Sequence, residues 1–249
     1  FSSRYGVFNS ESGSTVRLKA GTTLVLDNWD IGAQANFKAG SVLTEEAGAH
    51  ANLVLWGGGG SSSFAGDFGL TGTITLGNNH TSTFSTTSAL NASEIAVSGG
   101  TLNLAMTQPI NTPKVTLSGG AITIGDNAPL WLTSLTQSGG TLTVGTGSAL
   151  TVGNFELSGG TVNAASDMTV SGDFNWTNSA TLRGAGKFLT TGDSLLAGDY
   201  AYLVGKTWEN SGTLDIADGV IYLNTLSVFN NLAGATINVS SLTREPFWY

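Results

Sequence analysis

The sequence predicts an all-β chain, a single-stranded parallel β-helix (β-solenoid) of about 20 residues per coil and roughly twelve coils. The prediction rests on three observations. A corner signature recurs at a fixed step, as Ser98-Gly99-Gly100-Thr101, Ser118-Gly119-Gly120-Ala121, Ser138-Gly139-Gly140-Thr141 and Ser158-Gly159-Gly160-Thr161. Apolar positions keep the same step: Ile95, Val115, Leu135 and Phe155 form one column, and Leu102, Ile122, Leu142, Val162 and Leu182 another. Within each unit apolar and polar residues alternate, so each short run has one buried face.

One coil shows how the elements follow. Thr141-Leu142-Thr143-Val144 alternates as a strand, a Gly-rich turn follows, and Leu150-Thr151-Val152 makes a second strand. After another turn Phe155-Glu156-Leu157 makes a third, before the next Ser-Gly-Gly corner. The glycine pairs allow the positive φ that a sharp corner needs. Three strands per coil, each bonding to its equivalent in the next, give stacked parallel sheets around a narrow core with a rise of about 4.8 Å per coil. An antiparallel sandwich is the alternative for alternating strands, but it has no need of equivalent residues at a constant step. One residue misfits: Gln137 falls in the inward column of Val97, Leu117 and Leu157. Either that strand shifts locally or Gln137 bonds within the stack.

The regular block, residues 95–183, is expected to lie between irregular coils over 1–94 and over 184–249, the whole forming one elongated domain. Trp56 is followed by four glycines and three serines, which read as a tight loop. A phosphate-binding reading fails because no Lys-Ser or Lys-Thr follows. The last residues, Phe247-Trp248-Tyr249, and the early Phe1 and Tyr5 are aromatic. Such rings are costly to leave in water, which suggests core caps or end-to-end contacts between copies.

Charged residues are only 10% of the chain, the net charge is −8, and the nine Lys and Arg are scattered. Nucleic acid is therefore not expected as a partner. The absence of cysteine excludes disulfides and thiolate metal sites. No apolar run has membrane-spanning length, so membrane insertion of this segment is not expected. The chain begins Phe1-Ser2-Ser3 and reads as a piece of a longer precursor.

The run from Leu157 through Ser171-Gly172-Asp173-Phe174-Asn175-Trp176-Thr177 to Leu182-Arg183-Gly184-Ala185-Gly186 resembles repeats of large secreted bacterial β-helix proteins. Phe229-Asn230-Asn231-Leu232-Ala233-Gly234-Ala235-Thr236 is similar to another motif common among them. These are the filamentous-haemagglutinin-like adhesins and autotransporter passenger domains. The resemblance covers roughly residues 95–240 and implies an extracellular or cell-surface location with an adhesive or structural role. It brings no catalytic residues.

Polysaccharide-active enzymes on this fold need clustered acids and bases on one outer face. Here Glu94, Asp126, Glu156, Asp167 and Asp173 are isolated. Asp27, Asp30, Glu45 and Glu46, with His50 nearby, make the best acidic cluster and read as a solvated edge or an adventitious calcium site rather than a catalytic one. His80 stands alone in a polar loop. No catalytic, cofactor or metal constellation is expected. The Thr-rich outer ladder also resembles an ice-binding face, but Ala121 and Arg183 interrupt it. Trp131, between the inward Leu130 and Leu132, should point outward and could stack on a sugar or a protein partner. The sequence thus points to a non-enzymatic surface protein that adheres or spaces. Its partner would be a glycan or protein of a host or cell surface, or a second copy stacked head to tail. A polysaccharide-binding or polysaccharide-degrading role is the further alternative.

Overall fold

A computed structural model describes residues 7–28, 34–57, 59–86, 88–240 and 245–249. Among them the regular elements are all β-strands, and every named pairing is parallel. One face stacks twelve strands, from Val7–Ser10 to Phe247–Trp248. About 9 turns follow a step of roughly 20 residues, as in the pairs Leu102↔Ile122 and Ile122↔Leu142. The terminal passes are wider, as from Gln34 to Ser61 and from Ile221 to Phe247.

The corner signature has a steric reason. Gly120 and Gly140 both have φ of +69°. A Cβ on Gly120 would lie 2.5 Å from the carbonyl oxygen of Gly100, and one on Gly140 would lie 2.6 Å from that of Gly120. The second glycine of each pair is thus fixed both by backbone conformation and by the corner stacked next to it.

The second and third strands of the coil depart from the sequence reading in two places. Leu130–Gln137 and Leu150–Leu157 run on as eight-residue strands through the corner instead of breaking into two. Only Gly153 and Asn154 separate Val152 from Phe155, and Ser134↔Asn154 pairing carries the ladder round the bend. Beyond it the strand divides into Met168–Val170 and Phe174–Trp176.

Inward residues form one continuous core along the stack. Near the N-terminal end Phe37, Phe64 and Phe84 stack ring on ring, with centroids 5.1 and 4.5 Å apart. Toward the C-terminal end Phe174, Trp176, Phe188 and Trp208 interlock. Gln137 stays in register between Leu117 and Leu157. It is fully buried, and its Nε2 donates to the carbonyls of Thr161 at 3.1 Å and Gly140 at 3.3 Å. The strand does not shift; the amide bonds within the stack.

Candidate functional site

Alternation on a strand decides what each coil offers to a partner. Trp131 sits between Leu130 and Leu132, which are buried, and is itself 53% exposed. Its register partner is Thr151, and nearby Asn111 donates its amide to Asn91 at 3.1 Å. A large ring thus stands on a flat polar wall held from beneath by the ladder.

The carboxylates do other work. Asp126 accepts from the Thr146 N–H at 2.7 Å and Asp167 from the Lys187 N–H at 2.8 Å. Glu156 accepts from Asn175 at 2.6 Å and Asp215 from Asn238 at 2.7 Å. Ion pairs join Lys38 to Glu11, Lys114 to Glu94 and Lys187 to Glu209. Each of these contacts joins one coil to a neighbouring coil.

Of the acidic cluster read from the sequence, Asp30 and the side chain of Asp27 lie outside the described residues. Glu46 is exposed. Glu45 is tied into the fold: its two oxygens accept from the Ala51 N–H and the Thr71 hydroxyl, each at 2.6 Å. Since Thr71 gives its proton to the carboxylate, its oxygen accepts from His50 Nδ1 at 2.9 Å. Burial pushes the Glu45 carboxyl up, but these hydrogen bonds and the nearby His50 outweigh it and hold it below its ordinary value. Among the described residues no group of three His, Cys, Asp or Glu side chains is placed to hold a metal ion.

Two buried titratable groups escaped the sequence reading. His80 is not alone in a polar loop: it is buried, with Nε2 2.9 Å from Ser62 Oγ. Burial pushes its imidazole down to about 4. Lys206 is buried too, and its Nζ donates to the carbonyls of Gly186 at 2.8 Å and Ala164 at 3.2 Å. Burial pushes this ammonium down to about 8, against the pull of Asp167. An offset of 18 residues, not 20, joins Ser62 to His80, so the regular step gave no signal for that pair.

The terminal aromatics divide by role. Phe1 and Tyr5 lie outside the described residues. Phe247 packs on Phe229, with centroids 5.4 Å apart, and lies partly buried against the end of the core. Trp248 and Tyr249 face outward and are exposed. The sequence reading missed an outward row of aromatics on the same face, in which Tyr202 pairs in register with Tyr222 and Tyr222 with Trp248.

With this geometry in place, comparison of the chain with protein-family models, curated proteins and solved structures finds no match. No helix among the described residues is long and apolar enough to cross a membrane.

Proposed function

We propose that the chain is a non-enzymatic extracellular or cell-surface β-solenoid whose work is adhesive or structural. One observation carries this reading. The outer carboxylates and amides act as rungs between adjacent coils, as Asp126 does for Thr146 and Glu156 for Asn175. That use stiffens the wall and leaves a repetitive polar surface, largely of Thr, Asn and Ser, suited to presenting contacts along a rod. The sequence resemblance to filamentous-haemagglutinin-like adhesins and autotransporter passenger domains supports the same reading. Its test is a binding screen of the purified protein against cells, glycans and surface proteins, with the products of any glycan analysed in parallel. Binding without product supports the reading; shortened or unsaturated sugar products argue for a polysaccharide-active enzyme.

A second reading, end-to-end assembly, is favoured by the shape of the two end coils. Hydrophobic residues only partly buried against the core fall at the two ends of the described stack. Phe8, Val16, Leu18 and Leu26 lie at one end and Leu223, Phe229, Ile237 and Phe247 at the other. Each end therefore offers three parallel strand edges and an apolar floor to a further coil. A second copy supplies such a coil without any change of strand direction, and the contact propagates head to tail. Electron microscopy with solution mass tests it. Fibres whose growth is lost in Phe247→Asp and Trp248→Asp variants support it, and a single-chain mass at all concentrations contradicts it.

A further inference from the structure

The outward column that runs through Thr141, Thr161 and Thr181 changes character near the C-terminal end of the stack. Its next three register partners are Tyr202, Tyr222 and Trp248. Tyr200, on the same strand and pointing the same way, places its ring centroid 6.0 Å from that of Tyr202. The rings of Tyr202 and Tyr222 are 5.7 Å apart. Beneath them Ala201, Leu203 and Ile221 are buried in the core, so the aromatic row cannot fold inward without breaking the alternation of its strands.

Beyond Tyr222 the row opens into a cleft of about 440 Å³ lined by Tyr222, Tyr249 and the turn 224–227. That turn is held firmly. The Ser227 N–H donates to the Asn224 carbonyl at 2.9 Å, and Ser227 Oγ donates to the Leu203 carbonyl at 2.7 Å. At its tip Leu226 has φ of +63° and is 87% exposed.

We propose that this aromatic row and its adjoining cleft form a binding platform for a linear, neutral glycan lying along the solenoid axis. A hexose ring is amphipathic. Its C–H face stacks on an aromatic ring, while its equatorial hydroxyls need hydrogen-bonding partners at the edge. Tyr202 and Tyr222, in register on adjacent coils, have ring centroids 5.7 Å apart with planes at 49°, a separation on the scale of one sugar ring. Asn224 and Thr225 line the cleft beside Tyr222. Asn224 Oδ1 accepts from the Thr225 N–H at 2.7 Å and from its hydroxyl at 3.3 Å, which leaves the Asn224 amide N–H groups to donate and the Thr225 hydroxyl oxygen to accept at the edge. An acidic glycan would meet a chain of net charge −8, which favours the neutral class. The proposal rests on the adhesive reading and names its ligand.

The test is affinity electrophoresis and co-sedimentation of the protein with soluble mixed-linkage β-glucan and insoluble cellulose, with heparin as the acidic comparator. Retention of the wild type on a neutral glycan is expected. A Tyr202→Ala and Tyr222→Ala double variant should weaken it about tenfold or more, with an unchanged circular dichroism spectrum. Tyr222→Phe, which keeps the ring, should stay within about threefold of wild type. Double-variant binding equal to wild type overturns the platform, as does a preference for heparin. Wild-type protein that adheres to cells through a protein receptor and ignores every neutral glycan also overturns it, while leaving the adhesive reading in place.

Discussion

His80 Nε2 lies 2.9 Å from Ser62 Oγ, and its Nδ1 meets no partner. Phe64 and Phe84, on the stacked strands Ser61–Phe64 and Thr81–Phe84, have ring centroids 4.5 Å apart. The contact links two successive coils, and burial favours the neutral form of the imidazole.

Its pH dependence follows from that burial. The folded imidazole titrates at about 4 and the unfolded one at about 6.5, so the unfolded chain binds more protons between those values. Stability is fully present above pH 6.5 and is lost as pH falls toward 4, by about 3 kcal/mol for this group. Denaturant melts at pH 7, 5.5 and 4.5 should show the loss in the wild type. His80→Gln should flatten the part of it that lies above pH 5; an unchanged slope would mean that the decline comes from other groups.

Gly140 is tied to its corner by both φ and contact. Gly140→Ala should lower stability by about 2 kcal/mol or more. Gly234, with φ of +89° but nothing within 4 Å of a Cβ, separates the two causes. Gly234→Ala should bear only the conformational cost, about 1 kcal/mol. Thermal midpoints of the two variants measured side by side check the order.

Gln137 carries an amide through an apolar column, and its Oε1 meets no partner. Gln137→Leu restores the residue type of Leu117 and Leu157, so the column gains apolar contact while two carbonyls lose a donor. Its net change should stay within about 1 kcal/mol. Gln137→Ala, which removes contacts and leaves a void, should cost about 2 kcal/mol or more. Equal losses in the two variants would show that the hydrogen bonds, not packing, hold this coil.

Trp131→Ala should leave stability within about 0.5 kcal/mol of wild type, since its ring stands outside the core. Any partner that uses this wall should bind about tenfold more weakly. Binding by the variant equal to that of the wild type would remove Trp131 from the contact surface.

The parts of the fold that were legible are those under packing constraint. Columns such as Leu102, Ile122, Leu142 and Val162 must remain apolar, and Gly120 and Gly140 must remain glycine, so the step of 20 is written into the chain. Outward positions carry no such constraint. Thr181, Tyr202, Tyr222 and Trp248 occupy one column, yet their residue types differ and the last step is wider. The aromatic row therefore becomes visible only when register is known. His80 and Lys206 were missed for a related reason. A polar residue at an inward corner reads as a turn residue until the coils around it are in place. Trp131 was legible because its neighbours Leu130 and Leu132 fix the alternation on both sides.

The outer surface of this solenoid is proposed to hold a partner and leave it intact. Incubation of the protein with a panel of cell-surface and plant-type glycans, followed by mass spectrometry of bound and free sugar, tests it most directly. A binding surface should yield glycan recovered with the protein at its original length, with no new reducing ends or unsaturated termini. Shortened or unsaturated sugars accumulating in proportion to added protein would contradict it and make the surface an enzyme's.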